Sequence, residues 1–198
     1  MTDTPSNDET EAQEPPVEAP DTGGFSTAKS LVLVNTGHGK GKSTAAFGTA
    51  IRAVAREWPV AVVQFLKSGD WRTGEEKICR QLGVDWFAEG DGFTWNSEDL
   101  DESRAMAQGA WEHAKALLAT DRYRLIVLDE ISYAMNWDWI DTAEVAKVVA
   151  ERSERCSVVL TGRDMPEAVV DVANTVTEMR KVKHAFDDGI VAKKGIDY

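Results

Sequence analysis

Apolar positions fall along the chain in two rhythms. Four short runs, "SLVLVN" (30–35), "VAVVQFL" (60–66), "YRLIVLD" (123–129) and "CSVVLTG" (156–162), are β-branched and almost continuous, as strands covered on both faces should be. Between them, 42–57, 73–82, 98–120, 141–152 and 166–173 repeat their apolar residues at three- and four-residue intervals, the spacing of helices with one buried face. Two further runs, "VDWFA" (84–88) and "TVTEMRKV" (175–182), predict additional strands. Strand–helix alternation predicts an α/β fold, a mostly parallel sheet with helices on both faces. Ligands of such sheets bind beyond the carboxyl ends of the strands. The residues that follow each apolar run are therefore the ones to inspect.

The rhythm is absent from the first 27 residues. Seven acidic side chains, one lysine and four of the chain's six prolines lie within residues 1–30. Such a segment buries too little apolar surface to offset the entropy of ordering, so residues 1–27 are expected to be a disordered acidic tail and 28–198 one domain. The start has neither the basic nor the apolar region of a signal peptide. No apolar run reaches the roughly 18 residues of a membrane span. The net charge is −12, and half of it lies outside the tail, which argues against nonspecific nucleic-acid binding. Cys79 and Cys156 show no paired spacing; small buried hydrophobes in a reducing cytoplasm are the expected reading.

Candidate chemistry begins where the first apolar run ends. "NTGHGKGKSTAAFG" (35–48) passes from a strand through glycines at 37, 39 and 41 into an alanine-rich helix. Glycines let successive N–H groups turn toward an anion, and a helix starting near Lys42 aims its positive end at the same point. Lys42 would reach phosphate oxygens and Ser43 would offer a hydroxyl to magnesium. The spacing departs from G-x-x-x-x-G-K-[ST]: Thr36 stands where the first glycine belongs, and Gly37 is one residue too close to Gly41. "RLIVLDE" then supplies Asp129 and Glu130 beyond a hydrophobic strand. Magnesium takes few protein carboxylates besides phosphate oxygens and waters, so one of the pair would ligate and the other orient water. Gln64, Lys67, Thr161 and Arg163 also sit at strand ends. Arg163 and Lys67 read equally as site residues or as solvent-facing charge. Trp137, Trp139, and Phe93 with Trp95 in "AEGDGFTWNSED", make an aromatic-rich surround. By residue type alone these aromatics are more readily packing than ligand contacts. His38, His113 and His184 have no metal-ligand spacing.

Taken together, "TGHGKGKSTAAFGTAIRAV", "VVQFLK", "GFTW", "VLDEISYA", "VLTGR" and "VKHAFDDGIVAKKGIDY" resemble the ATP:cob(I)alamin adenosyltransferases over about residues 30–198. The resemblance accounts for the shortened loop, which the family shares as G-x-G-K-G-K-[ST]. It implies a P-loop NTPase-like fold whose members bind ATP in the reverse sense to most such proteins. The reduced corrinoid's Co(I) attacks the ribose C5′ carbon and inorganic triphosphate leaves. A nucleophile with no proton to lose requires no general base. By residue, the resemblance implies Gly37, His38, Gly39, Lys40, Gly41, Lys42 and Ser43 as the nucleotide loop, with Arg52 and Arg163 as further nucleotide contacts. Ser43, Glu130 and Asp129 are the implied surroundings of Mg2+, with Mn2+ as an alternative ion. Phe93 and Trp95 match the pair that fills the lower axial face of the corrinoid and eases reduction of Co(II). On this basis Lys42, Phe93 and Trp95 are the expected catalytic residues. His38 stands where the family often has asparagine, and Ser43 replaces a common threonine while keeping the hydroxyl. A flavin-type electron donor protein and a homodimer are the implied partners. An ATPase or phosphoryl-transfer enzyme on the same fold, and a nucleotide or corrinoid carrier without turnover, are the competing readings.

Overall fold

The structure is a computed structural model that describes residues 21–66, 73–88 and 100–197. Six strands form one sheet in the order β3-β2-β4-β5-β1-β6, every neighbouring pair parallel. They are β1 (Val32–Thr36), β2 (Val60–Gln64), β3 (Asp85–Ala88), β4 (Leu125–Asp129), β5 (Ser157–Thr161) and β6 (Thr175–Glu178). The four long apolar runs are the four central strands, and β2 and β4 are buried at every position. The two shorter runs became the two edges. β6 is exposed along its length.

Helices cover both faces. On one, α1 (Lys42–Val54) and α2 (Gly74–Gln81) enclose a core of Ala46, Phe47, Ala50, Val62, Trp86 and Val127. Three alanines on the buried stripe of α1 (46, 50 and 53) let it lie close against the strands. On the other, α3 (Leu100–Leu118), α5 (Thr142–Glu151) and α6 (Glu167–Asp171) pack over Val63, Ile126, Leu128, Val158 and Leu160. Helix starts follow local chemistry: the Thr73 hydroxyl accepts from Glu76 N, and Asp141 accepts from Ala143 N and Glu144 N, each satisfying amides that the first turn leaves unpaired.

Among the described residues, one α-helix has no counterpart in the periodicity. α4 (Ile131–Asn136) begins directly after β4, with Glu130 in the left-handed conformation at φ 64°. A six-residue helix separated from its strand by one residue is too short to show a repeat. The cysteines are both buried, and burial pushes the Cys156 thiol up to about 11, as a structural hydrophobe requires. No helix among the described residues is long and apolar enough to cross a membrane.

Candidate nucleotide site

Four central strands end at the same level, each in a polar residue. Asn35 of β1 is in register with Thr161 of β5, Leu128 with Leu160, and Gln64 of β2 with Asp129 of β4. Asn35, Thr161, Asp129 and Gln64 thus form a row across the carboxyl edge of the sheet, and all four are buried. Buried polar groups must be paired, and these pair with one another. Gln64 Nε2 donates to Asp129 Oδ2 (3.0 Å), Thr161 Oγ1 donates to Asp129 Oδ1 (2.8 Å), and Glu130 N donates to Thr161 Oγ1 (2.9 Å). Trp86 Nε1 extends the row by donating to Gln64 Oε1 at 3.1 Å, and Asn35 Nδ2 donates to the carbonyl of Lys42 at 3.2 Å. The network holds the first turn of α1 and the start of α4 on one rigid floor.

The glycine loop rises from this floor. Gly41 caps α1 with φ 117°, a value that only glycine adopts readily. Lys42 Nζ folds back onto the carbonyl of Gly39 at 2.8 Å. Burial, and then the Arg163 guanidinium, hold the Lys42 ammonium below the usual lysine range, with Glu130 and Asp164 pulling the other way. His38, Gly39, Lys40, Lys42 and Arg163 line one cavity of about 310 Å³. Lys40 also pairs with Asp197 at 2.7 Å, and His38 meets Asp164 at 3.0 Å. Arg163 is positioned through its backbone: Ser132 Oγ donates to its carbonyl at 2.6 Å, and Asn136 Nδ2 donates to the same oxygen at 3.3 Å.

Gly37 through Ser43, Glu130, Asp129 and Arg163 therefore gather at the carboxyl edge, as their places after strands predict. Asp129 lies deepest, fully enclosed with each oxygen already accepting a hydrogen bond; Glu130 and Ser43 are half-buried above it. Arg52 is not brought to the loop. It is exposed in the last turn of α1, ten residues and about 15 Å along the helix from Lys42. Lys67, Phe93 and Trp95 lie outside the described residues. Trp139 belongs to the core, in a tilted ring contact at 4.8 Å with the exposed Trp137. His113 packs against Phe87. Among the described residues no three His, Cys, Asp or Glu side chains cluster as a metal site of their own. The residues that sequence reasoning missed are Asn35, Lys181 and His184. Asn35 carried a usable signal, since every central strand ends polar; Lys181 follows a short edge strand and had none, and His184 was marked only by its place in the motif that begins at Val182.

A sequence model of the ATP:corrinoid adenosyltransferases (BtuR/CobO/CobP) matches residues 28–198. The chain belongs to this family. Relatives include the corrinoid adenosyltransferases of Escherichia coli and Salmonella typhimurium, each 41% identical over 170 residues and covering 86% of both chains. That of a Sinorhizobium species is 44% identical over 174 residues, covering 86% of this chain and 81% of its own. Membership reaches past the loop to the final residues, so it takes in the segment after β6 that closes one side of the cavity. The parallel sheet and the loop at the end of β1 agree with the P-loop architecture expected for the family.

Proposed function

We propose that this cleft holds ATP by its triphosphate and presents the ribose C5′ carbon to a reduced corrinoid. As an ATP:corrinoid adenosyltransferase family member, the chain is a transferase that adenosylates corrinoids at the expense of ATP, in cobalamin biosynthesis or salvage. The observation that carries the assignment of residues is the meeting of the loop, Lys42 and Arg163 in one cavity at the carboxyl edge of the sheet. When C5′–O breaks, negative charge grows on the departing triphosphate. Lys42, Arg163 and the N-terminal amides of α1 are preorganised against that charge, and fixed donors in a partly desolvated cleft stabilise it more than water does. Co(I) attacks without losing a proton, so these residues bind and orient rather than move protons.

The donor set suits Mg2+, with Mn2+ as an alternative: Ser43 and Glu130 offer hard oxygens, and Asp129 stands behind them as a fixed hydrogen-bonded support. Bound there, the ion would neutralise phosphate charge. Phe93 and Trp95 would cover the lower axial face of the corrinoid, by resemblance to the family. A flavin-type electron donor protein, a homodimer and a cytoplasmic location complete the reading.

The fate of the phosphates tests it. Intact triphosphate should appear only when reduced corrinoid is supplied; orthophosphate released from ATP alone would replace the reading with an ATPase. Run from Co(II) with reductant and from pre-reduced Co(I), the same assay reads Phe93→Ala with Trp95→Ala. Turnover from Co(II) should fall much further, and equal loss in both arms would remove the lower-face role.

A further inference from the structure

After β6 the chain crosses directly over the glycine loop. Met179 N donates to Thr36 O at 2.9 Å, and Gly39 N donates to Met179 O at 2.5 Å. A Cβ on Gly39 would stand 2.6 Å from that carbonyl oxygen and 2.9 Å from the carbonyl carbon of Arg180. Gly39 thus lacks a side chain so that a neighbouring segment can pass. The crossing has a cost for anion binding. The Gly39 amide, of the kind that a phosphate loop turns toward its ligand, is committed to a protein carbonyl.

The same crossing delivers a cation in return. Two residues beyond Met179, Lys181 lines the cavity together with Lys42 and Arg163, and His184 and Asp187 line it as well. Lys181 Nζ is held by both oxygens of Asp187, at 3.0 and 2.9 Å, with both side chains about half exposed. His184 Nδ1 accepts from Phe186 N at 3.2 Å, so the neutral ring carries its proton on Nε2 and is a donor there.

We propose that Lys181, His184 and Asp187 form a second wall of the triphosphate site, in which Lys181 exchanges Asp187 for a phosphate oxygen and His184 donates beside it. The proposal rests on the reading that this cleft binds the triphosphate of ATP. A single half-exposed carboxylate holds a lysine weakly, whereas a polyphosphate offers several charges and charge-assisted hydrogen bonds. Asp187 then acts as a place-holder: it keeps Lys181 in position in the empty cleft and takes it back as the product leaves.

Titration of the full chain with inorganic tripolyphosphate, followed by calorimetry, tests this. Lys181→Ala should weaken binding about tenfold. Asp187→Asn removes the competitor and should tighten it about threefold. Lys183→Ala, whose ammonium meets Asp188 at 3.3 Å and is largely exposed, should bind as the parent does. If Lys181→Ala and Asp187→Asn weaken binding alike, the pair is only a structural brace and the proposal falls; unchanged affinity in Lys181→Ala overturns it too. The underlying reading fails separately. It is lost if the parent chain does not bind tripolyphosphate or if Lys42→Ala binds equally well. Loss in Lys42→Ala with none in Lys181→Ala would overturn the second wall alone.

Discussion

Replacing Lys42 with alanine is expected to lower kcat/KM for adenosyl transfer by about 10²–10³-fold, the usual cost of removing one preorganised donor from a developing anion. Lys42 is the loop cation with its ammonium inside the cleft, 2.8 Å from the Gly39 carbonyl and electrostatically coupled to Arg163. Lys40, by contrast, is tied to Asp197. The effect should also have a pH signature. Burial first, and Arg163 second, lower the Lys42 pKa. On the role proposed for Lys42, its cation is then lost at a lower pH than for an ordinary lysine, so activity should fall on the alkaline side earlier than usual. Lys42→Arg, whose charge persists to much higher pH, should flatten that alkaline limb even where it lowers the maximum. An alkaline limb identical in both proteins would show that another group sets it.

The second large effect is on the fold. Gly162→Ala is expected to destabilise the protein by about 3–5 kcal/mol, combining overpacking with an unfavourable φ. Gly162 has φ 142°, and a Cβ there would lie 1.9 Å from Ser132 Oγ and 2.7 Å from Ser132 Cβ. Neither atom is the end of a flexible side chain, because Ser132 is buried in α4 and its hydroxyl is fixed on the Arg163 carbonyl. Relief requires moving α4 away from the end of β5, which also loosens Arg163. Urea unfolding should therefore show the loss of stability, and ATP affinity should fall in the protein that remains folded. A midpoint within experimental error of the parent would contradict this account of the β5–α4 junction.

Much of this architecture was legible in the chain because the sheet is parallel and covered on both faces. Each central strand reads as a run of small and branched apolar residues with a polar residue at or near its carboxyl end, and Asp129 and Gln64 could be placed at strand ends from that pattern. The glycine loop was legible for a related reason, since its residue types serve backbone geometry as well as ligand. Contacts between segments distant in sequence were not legible. Nothing local to Gly39 says that Met179 will lie upon it, and nothing near Lys181 says that an edge strand, exposed along its length, will carry it to the loop. Arg52, which the family resemblance implies as a nucleotide contact, stands exposed in the last turn of α1, ten residues along the helix from Lys42. α4 escaped because it has fewer than two turns and only Glu130 between it and β4.

At the centre is one physical claim: the cleft grips the triphosphate as a departing unit, and the bond that breaks joins it to carbon rather than phosphorus to oxygen. ATP labelled with oxygen-18 at the bridging 5′ position, incubated with the enzyme and Co(I) corrinoid, tests that claim directly by the phosphorus resonances of the products. The expected result is released triphosphate that retains all of the label, with none left on the adenosyl group. Label retained on the nucleoside, or released phosphate without it, would mean attack at phosphorus and would contradict the account.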